Sequence, residues 1–150
     1  MERKTIKNIL DFLNTKENKK LPKKWFDSIE KLKLIKELEN HPDDIQYKYD
    51  GFLLLSKTNI TKLPNDLRVE NGFLDLTNCI QLTELPANLY VKYGLILDRC
   101  KQLTELPNKL FVGGDLFLRG TIFATEYSDE EIREIIISKG GAIIGGIYTS

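Results

Sequence analysis

The side chains in this sequence that are best suited to chemistry are two cysteines, one histidine and a few separated carboxylates. Cys79 and Cys100 lie at equivalent positions of a repeat, and His41 lies in an Asn-His-Pro segment that is typical of a helix end. Two cysteines without a converging histidine do not make an ordinary zinc site. No nucleophile motif accompanies His41. The sequence therefore predicts no catalytic site, no metal site and no cofactor.

The carboxylates and the lysines are open to more than one interpretation. Asp75 and Asp98 fall on neighbouring predicted strands but in different columns, which indicates an ordinary polar face rather than a glycosidase pair. A lysine cluster before the second predicted helix could contact phosphates, and it makes a nucleic-acid-binding module the alternative function. A solvated loop is the interpretation that we favour for it. The cluster contains Lys16, Lys19, Lys20, Lys23 and Lys24.

Length and composition indicate one domain that has no overall electrostatic field. The chain has 150 residues, 41% of them hydrophobic, and a formal net charge of +0. A zero net charge provides no global attraction for nucleic acid or for an anionic membrane. No apolar run approaches the roughly 18 residues of a membrane span, and no signal-peptide core follows Met1. The expected location is the cytoplasm of the producing or host cell.

The sequence repeats about every 21 positions, and the repeated elements must position these residues. Two ladders of leucines carry the repeat. The first consists of the pairs Leu53/Leu55, Leu74/Leu76, Leu95/Leu97 and Leu116/Leu118, and the second of Leu63-Pro64, Leu85-Pro86 and Leu106-Pro107, each followed by an L-x-V segment. A period of 20 to 29 residues built on L-x-L predicts a solenoid. Both leucines of each pair should point inward, so that every repeat adds one short strand to a parallel sheet.

The turn after each leucine pair changes with the residue that occupies it. Where Cys79 or Cys100 stands there, the next inward residue comes three positions later, and where Thr58 or Thr121 stands there, it comes two positions later. This correlated change indicates that the repeats are structural. The cysteines are then small buried residues stacked on neighbouring coils. A disulfide between them is geometrically conceivable and is the alternative.

The two ends of the repeat array are predicted to be caps, because an end coil exposes an apolar cross-section. Residues 1–44 form a helical N-terminal cap, residues 45–123 the solenoid of about four repeats, and residues 124–150 a C-terminal cap. The N-terminal cap contains one helix with the apolar stripe Ile6, Ile9, Leu10 and Leu13, and a second that begins after Pro22 and runs to about Glu39. A strand through Ile45, Tyr47 and Tyr49 leads into the first repeat. The C-terminal cap contains a helix that begins at a capping box of Ser128 and Glu131 and ends at Gly140. The tail after it forms a last strand or hairpin.

The string L-x-L-x-x-C-x-x-L-T-E-L-P-x-x-L-x-V resembles the short leucine-rich repeats of bacterial and bacteriophage proteins. Its L-P-x-x-L half is similar to the repeats of bacterial effectors that capture host proteins. The resemblance covers about Gly51–Phe123. It implies an α/β leucine-rich solenoid that binds another protein, with inhibition or redirection of a host protein as a hypothesis. The ubiquitin-ligase domain of some effectors does not carry over, because both cysteines here stand at repeat positions.

The predicted binding surface is the concave face of the strands, where outward positions alternate with the leucines. Its aromatic and aliphatic residues have the composition of an interface core. The candidate partner-binding residues are Phe52, Leu54, Phe73, Asp75, Ile96, Asp98, Asp115, Phe117 and Arg119. The expected function is therefore non-enzymatic recognition of a protein partner. The alternatives are a face covered by the chain's own termini, a homo-oligomer contact, or a structural protein that associates with itself.

Overall fold

The computed structural model describes residues 3–4, 7–8 and 22–150, and residues 3–4 and 7–8 are helical. The predicted apolar stripe at Ile6, Ile9, Leu10 and Leu13 lies outside the described residues. The chain forms two compact units, Met1–Glu37 and Leu38–Ser150. Helix α1 (Lys23–Glu39) begins directly after Pro22, as predicted, and its last two residues belong to the second unit. Within residues 22–150, no helix has both the length and the apolar character needed to cross a bilayer.

Ten short strands in the second unit form two parallel sheets, which confirms a repeat solenoid flanked by helices. The first sheet contains β1 (Lys48–Asp50), β3 (Arg68–Glu70), β5 (Tyr90–Val91), β7 (Phe111–Val112) and β9 (Ala142–Ile143). The second sheet contains β2 (Leu53–Leu54), β4 (Leu74–Asp75), β6 (Leu95–Ile96), β8 (Leu116–Phe117) and β10 (Ile147–Tyr148). We define a coil as one turn of the solenoid, which contributes one strand to each sheet. The array therefore has five coils.

The prediction of one strand per repeat is wrong, because each coil contributes two. The L-x-V segments form the three middle strands of the first sheet, since their outer residues alternate with buried ones just as those of the L-x-L segments do. The strand predicted through Ile45, Tyr47 and Tyr49 is also shorter than expected. It comprises only Lys48–Asp50, and Ile45 lies outside it with an exposed side chain.

The core consists of stacked columns in which each coil supplies one residue at each equivalent position. In the second sheet the pairing places five fully or almost fully buried residues in register: Leu53, Leu74, Leu95, Leu116 and Ile147. In the first sheet the corresponding buried column contains Val69, Val91, Val112 and Ile143. The leucines that precede the prolines are buried as well, as predicted, and close the coil on its third side. Because each side chain packs on its own counterpart in the next coil, the repeat specifies the stacking.

Two turns, each present in four of the five coils, use a backbone conformation that explains part of the repeat pattern. The turn after the second sheet places a residue at positive φ in four coils: Lys57, Asn78, Arg99 and Gly120. The turn before the first sheet does the same at Asp66, Asn88, Lys109 and Gly140. Asn, Asp and Gly adopt this conformation at the lowest cost. These turns let the chain bend sharply without interrupting the hydrogen bonds between coils.

The connection from the fourth to the last strand of the second sheet is ten residues longer than the one before it, and it contains two helices. Leu116 pairs with Ile147, a step of 31 residues (147 − 116), whereas Leu95 pairs with Leu116 across 21 (116 − 95). The insertion contains α2 (Ile122–Glu126) and α3 (Asp129–Ser138). The predicted tail strand is confirmed, because the tail forms β9 and β10.

The predicted ends of α3 are also confirmed. The Ser128 hydroxyl and the Glu131 side chain form the capping box at its start. At its end Gly140 adopts φ +78°, Gly140 N–H donates to Ile137 O at 3.0 Å, and Gly141 N–H donates to Ile136 O at 2.9 Å. These two bonds are the Schellman pattern, which satisfies the last carbonyls of the helix.

Candidate functional site on the outer face of the second sheet

The outer face of the second sheet carries three columns of side chains, because alternate residues along each strand point away from the core. The pairing places five residues in register in the middle column: Leu54, Asp75, Ile96, Phe117 and Tyr148. The sequence predicted the first four of these together. The C-terminal tail does not cover them. Instead it lies beside β8 and lengthens the column by one residue.

Aromatic and aliphatic side chains on this face are exposed to an unusual degree. Phe52 is 56% exposed, Leu54 46% and Tyr148 44%. The ring centroids of Phe52 and Phe73 lie 4.7 Å apart, and those of Phe117 and Tyr148 lie 5.0 Å apart in a stacked arrangement. Ring pairs at these distances attract each other beyond the burial of their area. The aromatic residues are therefore already ordered in two pairs, at opposite ends of the face.

The carboxylates predicted on this face each bind a group within the sheet. Asp75 Oδ1 accepts hydrogen bonds from Thr77 N–H at 3.0 Å and from Thr77 Oγ1 at 2.6 Å. Asp98 Oδ1 accepts from Arg119 N–H at 2.9 Å, and its Oδ2 lies 3.3 Å from Arg119 Nε. The middle of the face is thus polar as well as apolar. The acidic groups have fixed orientations before any partner arrives.

Asp115 and Arg119 complete the set of predicted residues. Asp115 Oδ1 accepts a hydrogen bond from Gly146 N–H at 2.8 Å, which ties the last coil to the fourth. The Arg119 guanidinium carbon lies 5.3 Å from the centroid of the Phe117 ring, within cation–π range. All nine predicted partner-binding residues therefore belong to one continuous side of the array. The carboxylates have internal partners in addition to any role in recognition.

The outer face of the first sheet carries a second ladder that the sequence reasoning did not identify. The Arg68 guanidinium carbon lies 3.8 Å from the centroid of Tyr90, and the Tyr90 and Phe111 rings stack at 4.8 Å with planes 6° apart. These side chains are only partly exposed, and they bury their faces against one another. The signal was available as the middle residue of each L-x-V segment. The ladder uses its own surface for stacking, so we interpret it as structural.

The cysteines occupy a buried column that supplies hydrogen bonds to carbonyl groups. Both thiols are free, and Cys79 Sγ and Cys100 Sγ each donate to a carbonyl of the preceding coil at 3.0 Å. At the equivalent positions the hydroxyls of Thr58 and Thr121 donate to carbonyls at 2.8 and 2.6 Å. The cysteines thus link neighbouring coils, whereas the threonines bond a carbonyl of their own coil. Burial raises the pKa of Cys79, and it raises the pKa of Cys100 to about 12.

Both thiols should be unreactive in the folded protein, and their burial should make its stability depend on pH. The pKa of each thiol is higher in the folded protein than its unfolded value of about 8.5. The thiols' contribution to the free energy of unfolding is therefore complete below that pH. It declines as the pH rises from about 8.5 towards 12. We expect iodoacetamide to label Cys79 and Cys100 only in denaturant. We also expect the urea midpoint to fall more steeply between pH 7 and pH 10 than in the Cys79→Ser/Cys100→Ser variant. If the urea midpoint fell equally with pH in both proteins, or if iodoacetamide labelled the folded protein rapidly, the thiols would not be buried as described.

The other residues singled out in the sequence are the lysine cluster and His41. Lys23 and Lys24 are exposed at the start of α1, and Lys16, Lys19 and Lys20 lie outside the described residues. His41 Nε2 lies 2.7 Å from the Ile45 carbonyl oxygen, and its ring packs edge-on to Tyr47 at 4.9 Å. In the part of the chain that the structure describes, no three His, Cys, Asp or Glu side chains are grouped so that they could hold a metal ion.

Tyr148 is the one residue of the middle column that sequence reasoning missed. Gly114-Asp115-Leu116-Phe117 aligns with Gly145-Gly146-Ile147-Tyr148, and this likeness was the available signal. The helical insertion between the two segments breaks the 21-residue period and conceals this likeness.

The comparison with known proteins adds no further residue: no family model, curated protein or solved structure matches this chain.

Proposed function

We propose that this chain is a non-enzymatic binding protein that recognises one segment of another protein on the outer face of the second sheet. The observation that carries the proposal is the continuous middle column, with exposed Leu54 at one end and exposed Tyr148 at the other. Exposed apolar patches of this kind mark interaction sites. The resemblance of the repeats to those of bacterial and bacteriophage proteins makes a host protein the partner that we propose.

The size of the face indicates what kind of partner it fits. Five strands at a spacing of about 4.8 Å give the middle column a length of roughly 19 Å, and the outward residues of one strand span about 13 Å. A helix with its side chains is about 10 Å wide, so the face accommodates about 13 residues of helix at 1.5 Å each. Two globular domains generally bury about 800 Å² each. A single helix or an extended segment matches this small footprint better.

The charges on the face indicate the composition of that segment. Asp75, Asp98 and Asp115 stand against one arginine, Arg119, so this side of the array is acidic. Their internal hydrogen bonds satisfy some of the carboxylate lone pairs and leave others available, since an ionised carboxylate has about four acceptor sites. A partner segment with aliphatic or aromatic residues in its centre and lysine or arginine beside them would complement this pattern.

The test is binding of a purified partner to variants that change one face at a time. Affinity capture identifies the partner, and calorimetry with the purified protein then measures the dissociation constant. Ile96→Glu/Phe117→Glu should weaken binding by about 100-fold or more, because each carboxylate would be buried without a pairing group. The matched control, Thr83→Glu/Thr104→Glu, adds the same charge at exposed positions of the third side and should bind like the wild type.

Salt separates this function from its alternative. Recognition by apolar contacts with a few charge pairs beside them should weaken only modestly when ionic strength rises, whereas binding of phosphates by the Lys16–Lys24 segment should weaken steeply. A partner that binds both double variants equally would refute the proposed face. Capture of nucleic acid alone, lost at high salt and retained by Ile96→Glu/Phe117→Glu, would place the function in the N-terminal basic segment.

A further inference from the structure

On the side that faces away from the fourth coil, a side chain bonds the backbone of the last coil in the way that a further coil would. In the preceding coil the Val112 carbonyl oxygen accepts a hydrogen bond from Ile144 N–H at 3.0 Å. Ile143 is the counterpart of Val112 in the last coil. Its carbonyl oxygen accepts a hydrogen bond from Arg133 Nη1 at 2.9 Å. One guanidinium nitrogen therefore stands where the amide of a sixth coil would stand.

A second backbone group repeats the pattern two residues further on. Tyr93 O accepts from Gly114 N–H at 2.8 Å, and Gly114 O accepts from Gly145 N–H at 3.0 Å. The next carbonyl in this series is that of Gly145, which accepts from Arg133 Nη2 at 2.7 Å. The planar guanidinium presents its donors in a fixed fork, so it can replace two neighbouring amides at once.

We infer that Arg133 terminates the array by occupying the edge of the last coil, and thereby prevents this edge from pairing with a second copy of the chain. An unpaired strand edge is a template for another strand. Ala142 N–H and Ile144 N–H donate to the fourth coil at 2.8 and 3.0 Å, so the N–H and C=O of Ile143 face the opposite way. Helix α3 carries Arg133 to this edge because the helical insertion lies directly before β9 in the chain.

A second copy is the occupant that fits the uncovered edge. Two β9 strands in antiparallel orientation would let Ile143 of each copy exchange both hydrogen bonds with its counterpart. Such a contact has two-fold symmetry and closes on itself as a dimer. Two apolar side chains lie close to the edge in the sequence and are strongly exposed, Ile144 at 68% and Ile137 at 60%. The dimer would cover Ile144 in both copies.

The experiment measures mass in solution as a function of concentration for Arg133→Met. Methionine keeps the apolar stem and removes both donors, so we expect a concentration-dependent increase towards twice the monomer mass of 17.3 kDa. Arg133→Met/Ile144→Lys should return to the monomer, because an edge lysine opposes strand pairing. The control Glu134→Gln changes the neighbouring exposed residue of α3 and should stay monomeric with the wild type.

The opposite results overturn the inference. A folded Arg133→Met protein that stays monomeric at every concentration would show that Arg133 only holds α3 in place. A dimer that persists in Arg133→Met/Ile144→Lys would show that another surface associates. If Arg133→Met does not fold, Arg133→Lys decides the question, since its compact ammonium cannot reproduce the fork. A dimer of Arg133→Lys supports the inference, and a folded monomer refutes it.

Discussion

Replacing Leu97 by alanine should lower the free energy of unfolding by about 3 kcal/mol, within the usual range of about 2–5 kcal/mol for buried leucines. Leu97 is 0% exposed and lies in the third of five coils, so no end coil can relax to fill the space. The loss combines the transfer free energy of the removed carbon atoms with the cost of the cavity. Urea denaturation followed by circular dichroism measures the change.

The residue directly before Leu97 provides the control. Ile96 points to the outer face, and Ile96→Ala should change the free energy of unfolding by less than about 1 kcal/mol. A one-residue shift of register would reverse the two costs, because alternate residues point to opposite faces. A cost at Ile96 similar to that at Leu97 would show that the face is covered in the free protein. It would then remove the basis of the proposed binding surface.

The solenoid could be predicted because identical environments recur at a fixed spacing. Leu74, Leu95 and Leu116 meet the same neighbours in successive coils, so a single pattern appears repeatedly in the sequence. The first sheet was missed for a related reason. Its strands are two or three residues long, and an L-x-V segment after a proline turn does not distinguish a strand from an extended connection.

The columns of the candidate site could also be predicted, since alternation along a strand fixes which side chains share a face. The contacts within the columns could not. That Asp98 binds Arg119 and Asp115 binds the Gly146 amide depends on the register between coils and on side-chain rotamers. The position of Arg133 depends on where α3 packs, and the helix pattern alone does not contain that information. Periodicity thus predicted the positions of these residues and not their partners.

Gly72→Ala should be among the most destabilising single substitutions in the chain, with a loss of about 3 kcal/mol or more. Gly72 lies at the corner between β3 and β4, where a Cβ would overlap the carbonyl group of Gly51 in the preceding coil. A flexible side chain could rotate away from such an overlap, but a backbone carbonyl cannot. The corner must therefore shift, and the hydrogen bonds of Leu53 N–H and Gly51 N–H to the second coil would shift with it.

Gly94→Ala is the matched control, because its Cβ would meet the nearest atom, Asp115 O, at the ordinary contact distance of 3.5 Å. Alanine also reduces the entropy of the unfolded chain, which stabilises a protein by about 0.4–1 kcal/mol where the backbone permits it. We expect Gly94→Ala to be neutral or slightly stabilising in the same urea experiment. Equal losses at the two glycines would mean that the coils approach each other as closely in the sheet as at the corner. The large loss is expected at Gly72 and not at Gly94, because only at Gly72 would the added Cβ overlap a backbone carbonyl of the preceding coil.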